Sequence, residues 1–305
     1  MRRPERLRSV LARPNFELIM TDLKPLTGIV VHHRRFPKVL GTVTALIQDG
    51  LPPDCLVVVD NSEENKTEAD LRAALPAGVR LVCMPNRGFG AAVNAGLAEL
   101  QPSDRILVAS HEALVHSGAI ASLDAALSTD DRIVAAGPTL VMRRSGGLII
   151  WSEGGLLTAR LRLPRHVGHL TPYPPPHAPQ IAAEDRAWLD GACVLYRGPA
   201  LRDYRLREDF FLYFEEAELH RRFAAAGWRL AWVPAAIVEQ SSDGVPPYYL
   251  ARNLQLFQHA HGTPVSRMLA VPYEILRHVA RHFVHRDAPF QLTEMLRGWS
   301  EAIRS

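Results

Sequence analysis

GIVVHHRRFPKVLGTVTALIQDGLPPDCLVVVDNS, residues 28–62, holds the reading that decides the fold. Its ends, 28–31 and 56–59, are short apolar runs rich in β-branched residues, and the segment 38–48 between them is patterned as a helix. The alternation continues outward. Strand-length runs stand at 79–83 and 106–109, separated by helix-patterned segments at 67–75 and 91–100. Strand–helix alternation of this kind predicts βαβ units and an α/β fold, with a mostly parallel, Rossmann-like sheet flanked by helices on both faces. Ligands of such sheets bind beyond the carboxyl ends of the strands. The residues that matter should therefore follow each run: His32-His33-Arg34-Arg35, Asp60-Asn61-Ser62, Asn86-Arg87-Gly88 and Ser110-His111-Glu112.

The second half is less regular. Shorter runs at 133–136, 148–151, 193–196 and 230–233 are split by a Pro- and His-rich stretch, 162–179, of the kind that serves as a functional loop. From Pro264 onward the chain reads as helical and carries Arg267, Arg277, His278, Arg281, His282, His285 and Arg286. No internal repeat is present. Three parts follow: an arm at 1–26, a main domain at 27–262 and a C-terminal helical region at 263–305.

At 305 residues and 47% hydrophobic, the chain can bury a full core, which excludes a disordered protein. A net charge of +3, with arginines scattered among acids, argues against nucleic acid as a partner. Cys55, Cys83 and Cys193 have no metal-type spacing and read as reduced thiols. The N-terminal stretch lacks the apolar run of a signal peptide, and no window reaches the length needed to span a bilayer. A cytoplasmic protein is expected. The C-terminal helices, where Leu269, Leu276, Val279 and Phe283 interleave with basic residues, are open to three readings: packing on the main domain, a homodimer contact or peripheral contact with a membrane.

Three segments carry chemistry. VVVDNS at 57–62 ends a strand on a carboxylate; Asp60 can accept hydrogen bonds from a base or ribose, or serve only as a turn or helix cap. NRGFGAAVNAGL at 86–97 combines two glycines with a helix start near Gly90 or Ala91, which suits close backbone approach and free N–H groups for an anion, or a purely structural tight turn. Asn94 is a poor helix former inside that helix, so a specific task is implied. FFLYFEEAELHRRFAAAGW at 210–228 leads aromatic residues into Glu215 and Glu216 at the head of an amphipathic helix ended by Gly227. Acids there suit the helix dipole. They also suit a general base, because partial desolvation raises a carboxyl pKa toward neutrality.

Taken in order, these motifs resemble glycosyltransferase family 2, of GT-A fold, and especially its rhamnosyltransferase-like and galactofuranosyltransferase-like members. The resemblance spans roughly 27–262. It rests on VVDNxS, on NxGFxxAxNxGL, on WLxGAxxLxR (here 188–197), on the aromatic–acid helix from Leu206 to Trp228, and on YYxxRN (here Tyr248 to Asn253). The resemblance implies a nucleoside-diphosphate sugar as donor, dTDP- or UDP-linked, a hydroxyl acceptor, and inversion at the anomeric carbon. By position, His33, Asp60, Asn86, Arg87, Gly88 and Asn94 would line the donor. Trp188, Asp190 and Gly191 would shape the sugar and acceptor pocket. Glu216 would be the base and Glu215 would orient it or bind acceptor, across one pocket from the glycine turn.

The chain departs from the family pattern at three places. Ser110-His111-Glu112 stands where the family has an Asp-x-Asp type metal motif, and Glu239 where it has a histidine. Glu112, His111 and Glu239 could rebuild a site for Mg²⁺ or Mn²⁺; the other outcome is that Arg87 or another cation meets the leaving diphosphate. Arg207 replaces an acid at the acceptor rim. Two rival readings are a non-catalytic family member that binds a nucleotide-sugar or a partner protein, and a nucleotidyltransferase. The second lacks its glycine-rich loop, because HHRRFPKV occupies that place.

Overall fold

A computed structural model of the chain describes residues 24–173, 182–241, 244–284 and 291–304. The basic arm, the end of the Pro- and His-rich stretch, His285 and Arg286 lie outside the described residues. In chain order come β1 (Lys24–His32), α1 (Phe36–Gln48), β2 (Leu56–Asp60), α2 (Asn65–Ala74), β3 (Arg80–Cys83), α3 (Phe89–Glu99) and β4 (Ser103–Ser110). The predicted runs all fall on these elements. A short β5 (Leu114–Val115) and α4 (Ala119–Thr129) lead to the long β6 (Ile133–Arg144), followed by β7 (Gly147–Ser152). The hairpin β8 (Gly155–Leu157) and β9 (Pro164–His166) precedes β10 (Glu184–Asp185), β11 (Cys193–Arg197), α5 (Gly198–Tyr204), α6 (Glu215–Ala225) and β12 (Arg229–Glu239). Three helices close the chain: α7 (Pro247–His261), α8 (Pro264–Val284) and α9 (Leu292–Arg304).

The main sheet runs β10-β12-β6-β11-β4-β1-β2-β3, with β5 on β12 and β7 on β6. β1 pairs in parallel with β2 and β4, β2 with β3, and β6 with β12. β11 is antiparallel to both β4 and β6, so those two share a direction. Six long strands thus point one way, and the mostly parallel sheet is as predicted. Strands buried on both faces need apolar residues at every position, and β2 is buried throughout.

Helices cover both faces. On one, Val39, Val43 and Leu46 of α1 and Leu123 and Leu127 of α4 pack against Val30, Val58 and Leu107. On the other, Val93 and Leu97 of α3, Leu201 of α5 and Leu219 and Phe223 of α6 meet Ile29, Val57 and Val108. A smaller core of Ala251, Leu254, Ala270, Val271 and Met295 joins α7, α8 and α9. Trp188, Phe210, Ala217 and Phe257 fasten α7 to the main body. Each Val, Leu, Ile, Phe or Met side chain buried there contributes about 1.5–3 kcal/mol relative to exposure.

Candidate active site

The carboxyl ends of β1 and β2 meet at a buried polar node. His32 donates from Nδ1 to Asp60 Oδ1 at 2.9 Å, because its Nε2 accepts the Arg35 backbone N–H at 3.1 Å. Ser62 gives the same oxygen both its backbone N–H, at 3.1 Å, and its hydroxyl, at 2.5 Å. Burial pulls the Asp60 pKa up, but the bonds from His32 and Ser62 outweigh it and hold the carboxyl below its ordinary value. Asp60 is therefore a fixed anion. It lines a cleft of about 300 Å³ with Glu63, Glu68, Cys83, Met84 and Pro85. His33 donates to the Asn61 carbonyl at 3.2 Å, and Asn61 Nδ2 reaches Asn86 Oδ1 at 3.3 Å, so His33, Asp60 and Asn86 belong to one rim.

The glycine turn makes the close backbone approach expected of it, to protein. Gly88 has φ +94°, and a Cβ there would lie 2.0 Å from the Phe211 carbonyl oxygen. The Phe89 N–H donates to that oxygen at 2.7 Å. The first free donor of α3 is thus taken by protein, and Gly88 is required for the close approach of the Phe211 backbone. Asn94 has the specific task its sequence position implied, but a structural one: its side chain exchanges bonds with the Leu206 backbone, at 2.9 and 3.2 Å, and gives 3.1 Å to Glu208. Arg87 pairs with Glu208 at 2.6 Å. The turn grips the very loop that leads into Glu215.

That loop is held in costly backbone. Arg205, Phe211, Tyr213 and Phe214 all have positive φ, between 48° and 73°. For bulky side chains this costs on the order of 1–3 kcal/mol each. Asn253 of α7, fully buried, offsets it by donating from Nδ2 to the carbonyls of Phe210, Leu212 and Tyr213 at 3.0, 2.8 and 2.9 Å. Sequence reading noted YYxxRN without giving Asn253 a role, since its partners lie some forty positions away.

At the head of α6 the carboxylates converge. Gly191 lies against Glu216, with 3.5 Å between its Cβ position and Glu216 Cγ. Glu215 is buried at 3% exposure and its Oε2 has no partner, whereas Glu216 keeps part of its surface open. Burial, and then the Asp190 charge, push the Glu215 pKa up to about 7. Burial followed by the charges of Glu215 and Asp190 lifts Glu216 well above the carboxylate range. Asp190 is fixed by Trp151 Nε1 at 3.0 Å and the Ala192 N–H at 3.0 Å. His220, one turn into α6, accepts the Leu189 N–H at Nδ1 and meets Tyr196 at Nε2, tying the helix to the Asp190 turn. Trp188 is buried beneath this turn, flat against Gly155.

A wall of rings, absent from the sequence prediction, stands beside Asp190. Trp151, His166 and His169 lie at centroid distances of 4.8–5.5 Å, and His166 also meets Trp188 at 4.8 Å. The ring-rich composition of the 151–169 stretch was the signal available.

The expected metal donors divide. His111 donates from Nδ1 to the Val31 carbonyl at 3.3 Å, leaving a buried, unpartnered Nε2 that lies 3.6 Å from Glu112 Oε1. A histidine oriented by a backbone carbonyl, with its second nitrogen beside a carboxylate, is a fitting start for a divalent ion whose other ligands are water and phosphate. Burial raises the Glu112 pKa, but His111, Ser241 and Lys38 bring it down to about 2. Lys38 Nζ stands 2.9 Å from Glu112. Glu239 does not join, because Arg143 takes both its oxygens at 3.1 and 2.8 Å. Among the described residues no group of three or more His, Cys, Asp or Glu is gathered for a metal. Lys38, Glu112, Arg143, Arg144, Glu239 and Ser241 line a cleft of about 440 Å³.

The profile of the family described as Glycosyltransferase like family 2 matches residues 25–256. The chain belongs to that family. As a glycosyltransferase, it is similar to the N-acetylglucosaminyl-diphospho-decaprenol L-rhamnosyltransferase of Mycobacterium tuberculosis, strains CDC 1551 / Oshkosh and ATCC 25618 / H37Rv. Identity is 26% over 242 residues, covering 72% of this chain and 76% of the relative. Among solved structures, GalNAc-T7 with UDP, GalNAc and Mn²⁺ superposes at TM-score 0.56 and 15% identity, over 88% of this glycosyltransferase and 59% of that chain. The mannosyltransferase PcManGT from Pyrobaculum calidifontis, in complex with GDP-Man and Mn²⁺, superposes at 0.52 and 16%, over 93% and 84%. These two similarities establish the GT-A-like fold.

Proposed function

We propose that this glycosyltransferase moves a sugar from a dTDP- or UDP-linked donor to the hydroxyl of a lipid-linked sugar, with inversion, and that Glu216 is the base. The observation that carries the reading is the placement of Glu216: half-open, against Gly191, with its pKa raised by burial and by Glu215 and Asp190. The nucleoside suits the Asp60 cleft, where a fixed anion can accept from a base or ribose. The diphosphate suits the neighbouring cleft, where Lys38, Arg143 and Arg144 outnumber Glu112 and Glu239. The ring wall of Trp151, His166 and His169 offers apolar faces to the acceptor sugar. The lipid-linked acceptor follows from the likeness to the mycobacterial diphospho-decaprenol rhamnosyltransferases.

In the proposed displacement Glu216 takes the proton of the acceptor hydroxyl. The oxygen bonds to the anomeric carbon from the face opposite the diphosphate, the carbon–oxygen bond to the phosphate breaks, and the nucleoside diphosphate leaves with the electron pair. His111 and Glu112 would hold a divalent ion, which supplies Lewis-acid stabilisation of phosphate charge when bound. Lys38 and Arg143 add fixed positive charge.

Glu216→Gln keeps shape and removes the base. Transfer from dTDP- and UDP-sugars to a synthetic lipid-diphosphate sugar should fall by about 10²–10⁴, while donor binding still raises the melting temperature. A loss of less than about tenfold would remove Glu216 from the role.

A further inference from the structure

The α8 helix carries a face with nothing packed on it among the described residues. Val265, Met268, Leu269, Tyr273, Leu276 and Phe283 recur at steps of three and four, and their exposures run from 45% to 74%. At 100° per residue they share one stripe, roughly opposite the buried Ala270, Val271 and Glu274. The stripe is aimed away from the protein body. A continuous apolar surface of this kind on a soluble fold marks a contact.

The charges around it choose the occupant. Glu274 is the sole carboxylate of α8, is 1% exposed, and is consumed by Arg165 and Arg277. Arg277 and His282 border the stripe, whereas the exposed Arg267 and Arg281 lie toward the other side of the helix. An apolar stripe with basic borders and no surface acid matches the plane between headgroups and acyl chains of an anionic bilayer. Two copies of the stripe facing each other would set like charges together. No described helix is long and apolar enough to cross a membrane.

We propose that α8 docks this enzyme on an anionic lipid surface. The position makes sense of the acceptor proposed above, on which the docking itself does not depend. Arg165, whose partner Glu274 lies on the inner side of α8, belongs to β9, and the next residue, His166, stands 3.9 Å from Asp190. The membrane face thus backs directly onto the acceptor wall.

The test uses the full chain with sedimented vesicles of phosphatidylcholine alone or containing phosphatidylglycerol. Wild type should bind the anionic vesicles, less so at high salt, and Leu276→Glu/Phe283→Glu should bind at least about tenfold more weakly. Both positions are exposed, so the melting temperature and its rise with donor should be kept, which separates this outcome from failure of the transfer reading. Equal binding by the two proteins, or none by wild type, would overturn the proposal. A dimer in sedimentation velocity that the double variant abolishes, without vesicle binding, would overturn it in favour of a second copy.

Discussion

Glu215 and Glu216 share a small space with Asp190, and the physics of three acids in poor solvent sets how the enzyme must respond to pH. The base acts only when unprotonated, and the pair gives up its protons at or above about 7. kcat/KM should therefore rise with pH on a limb centred near or above neutrality, not near 4.5. Glu215→Gln removes one negative neighbour and should move that limb to lower pH. A limb unmoved by this change would mean that Glu215 and Glu216 do not interact. Stability carries the opposite sign. Glu215 keeps its proton up to about 7 in the folded state, against an ordinary 4.5, so between those values the unfolded chain binds fewer protons and stability falls as pH rises. Glu215→Gln should accordingly raise the melting temperature at pH 8 more than at pH 5. His220 works the other way: burial takes it down to about 3 from 6.5, so its contribution is lost as pH falls through that window. Sequence alone placed the acids at a helix head. That Asp190 and Gly191 belong with them came only from the resemblance, because those residues arrive from a different turn.

Residues 205–214 are the element on which the site turns. Backbone that four side chains disfavour is held by two amides, Asn94 from α3 and Asn253 from α7, so the loop is positioned from both sides. Removing one clamp strands buried carbonyls. Asn253→Ala should cost about 2–4 kcal/mol of stability in urea unfolding, and should lower kcat more than it raises the donor KM, since the loop carries Glu216 rather than the nucleotide rim. An unchanged kcat would show that the loop holds its shape without the clamp. Asn94 was legible as an oddity, an amide inside a helix, but its partner Leu206 lies 112 residues away and the sequence offered a ligand as readily. Gly88 was legible in the same way: a tight backbone approach was implied, and packing reveals that the approaching group is Phe211. Local pattern states that a demand exists; the distant segment that meets it becomes visible only in three dimensions.

At the scale of the molecule, the first half was legible because its strands alternate regularly with helices that cover both faces, although β4 returns beside β1 rather than beside β3. In the second half the strand runs were visible but their order and direction were not. β6 and β12 reach the sheet only through β11, an antiparallel insertion that no periodicity announces. That insertion has a consequence for assembly. As the chain leaves the ribosome, β1 to β4 can associate at once, but the outer edge of β4 stays bare until Cys193 onward has been made, and bare edges recruit other chains. Pulse-labelled amides of β1, β2 and β4 should be protected before those of β6 and β12. A five-residue strand, β11, is then the keystone that converts two partial sheets into one. Chains stopped short of it should depend on chaperones to stay in solution.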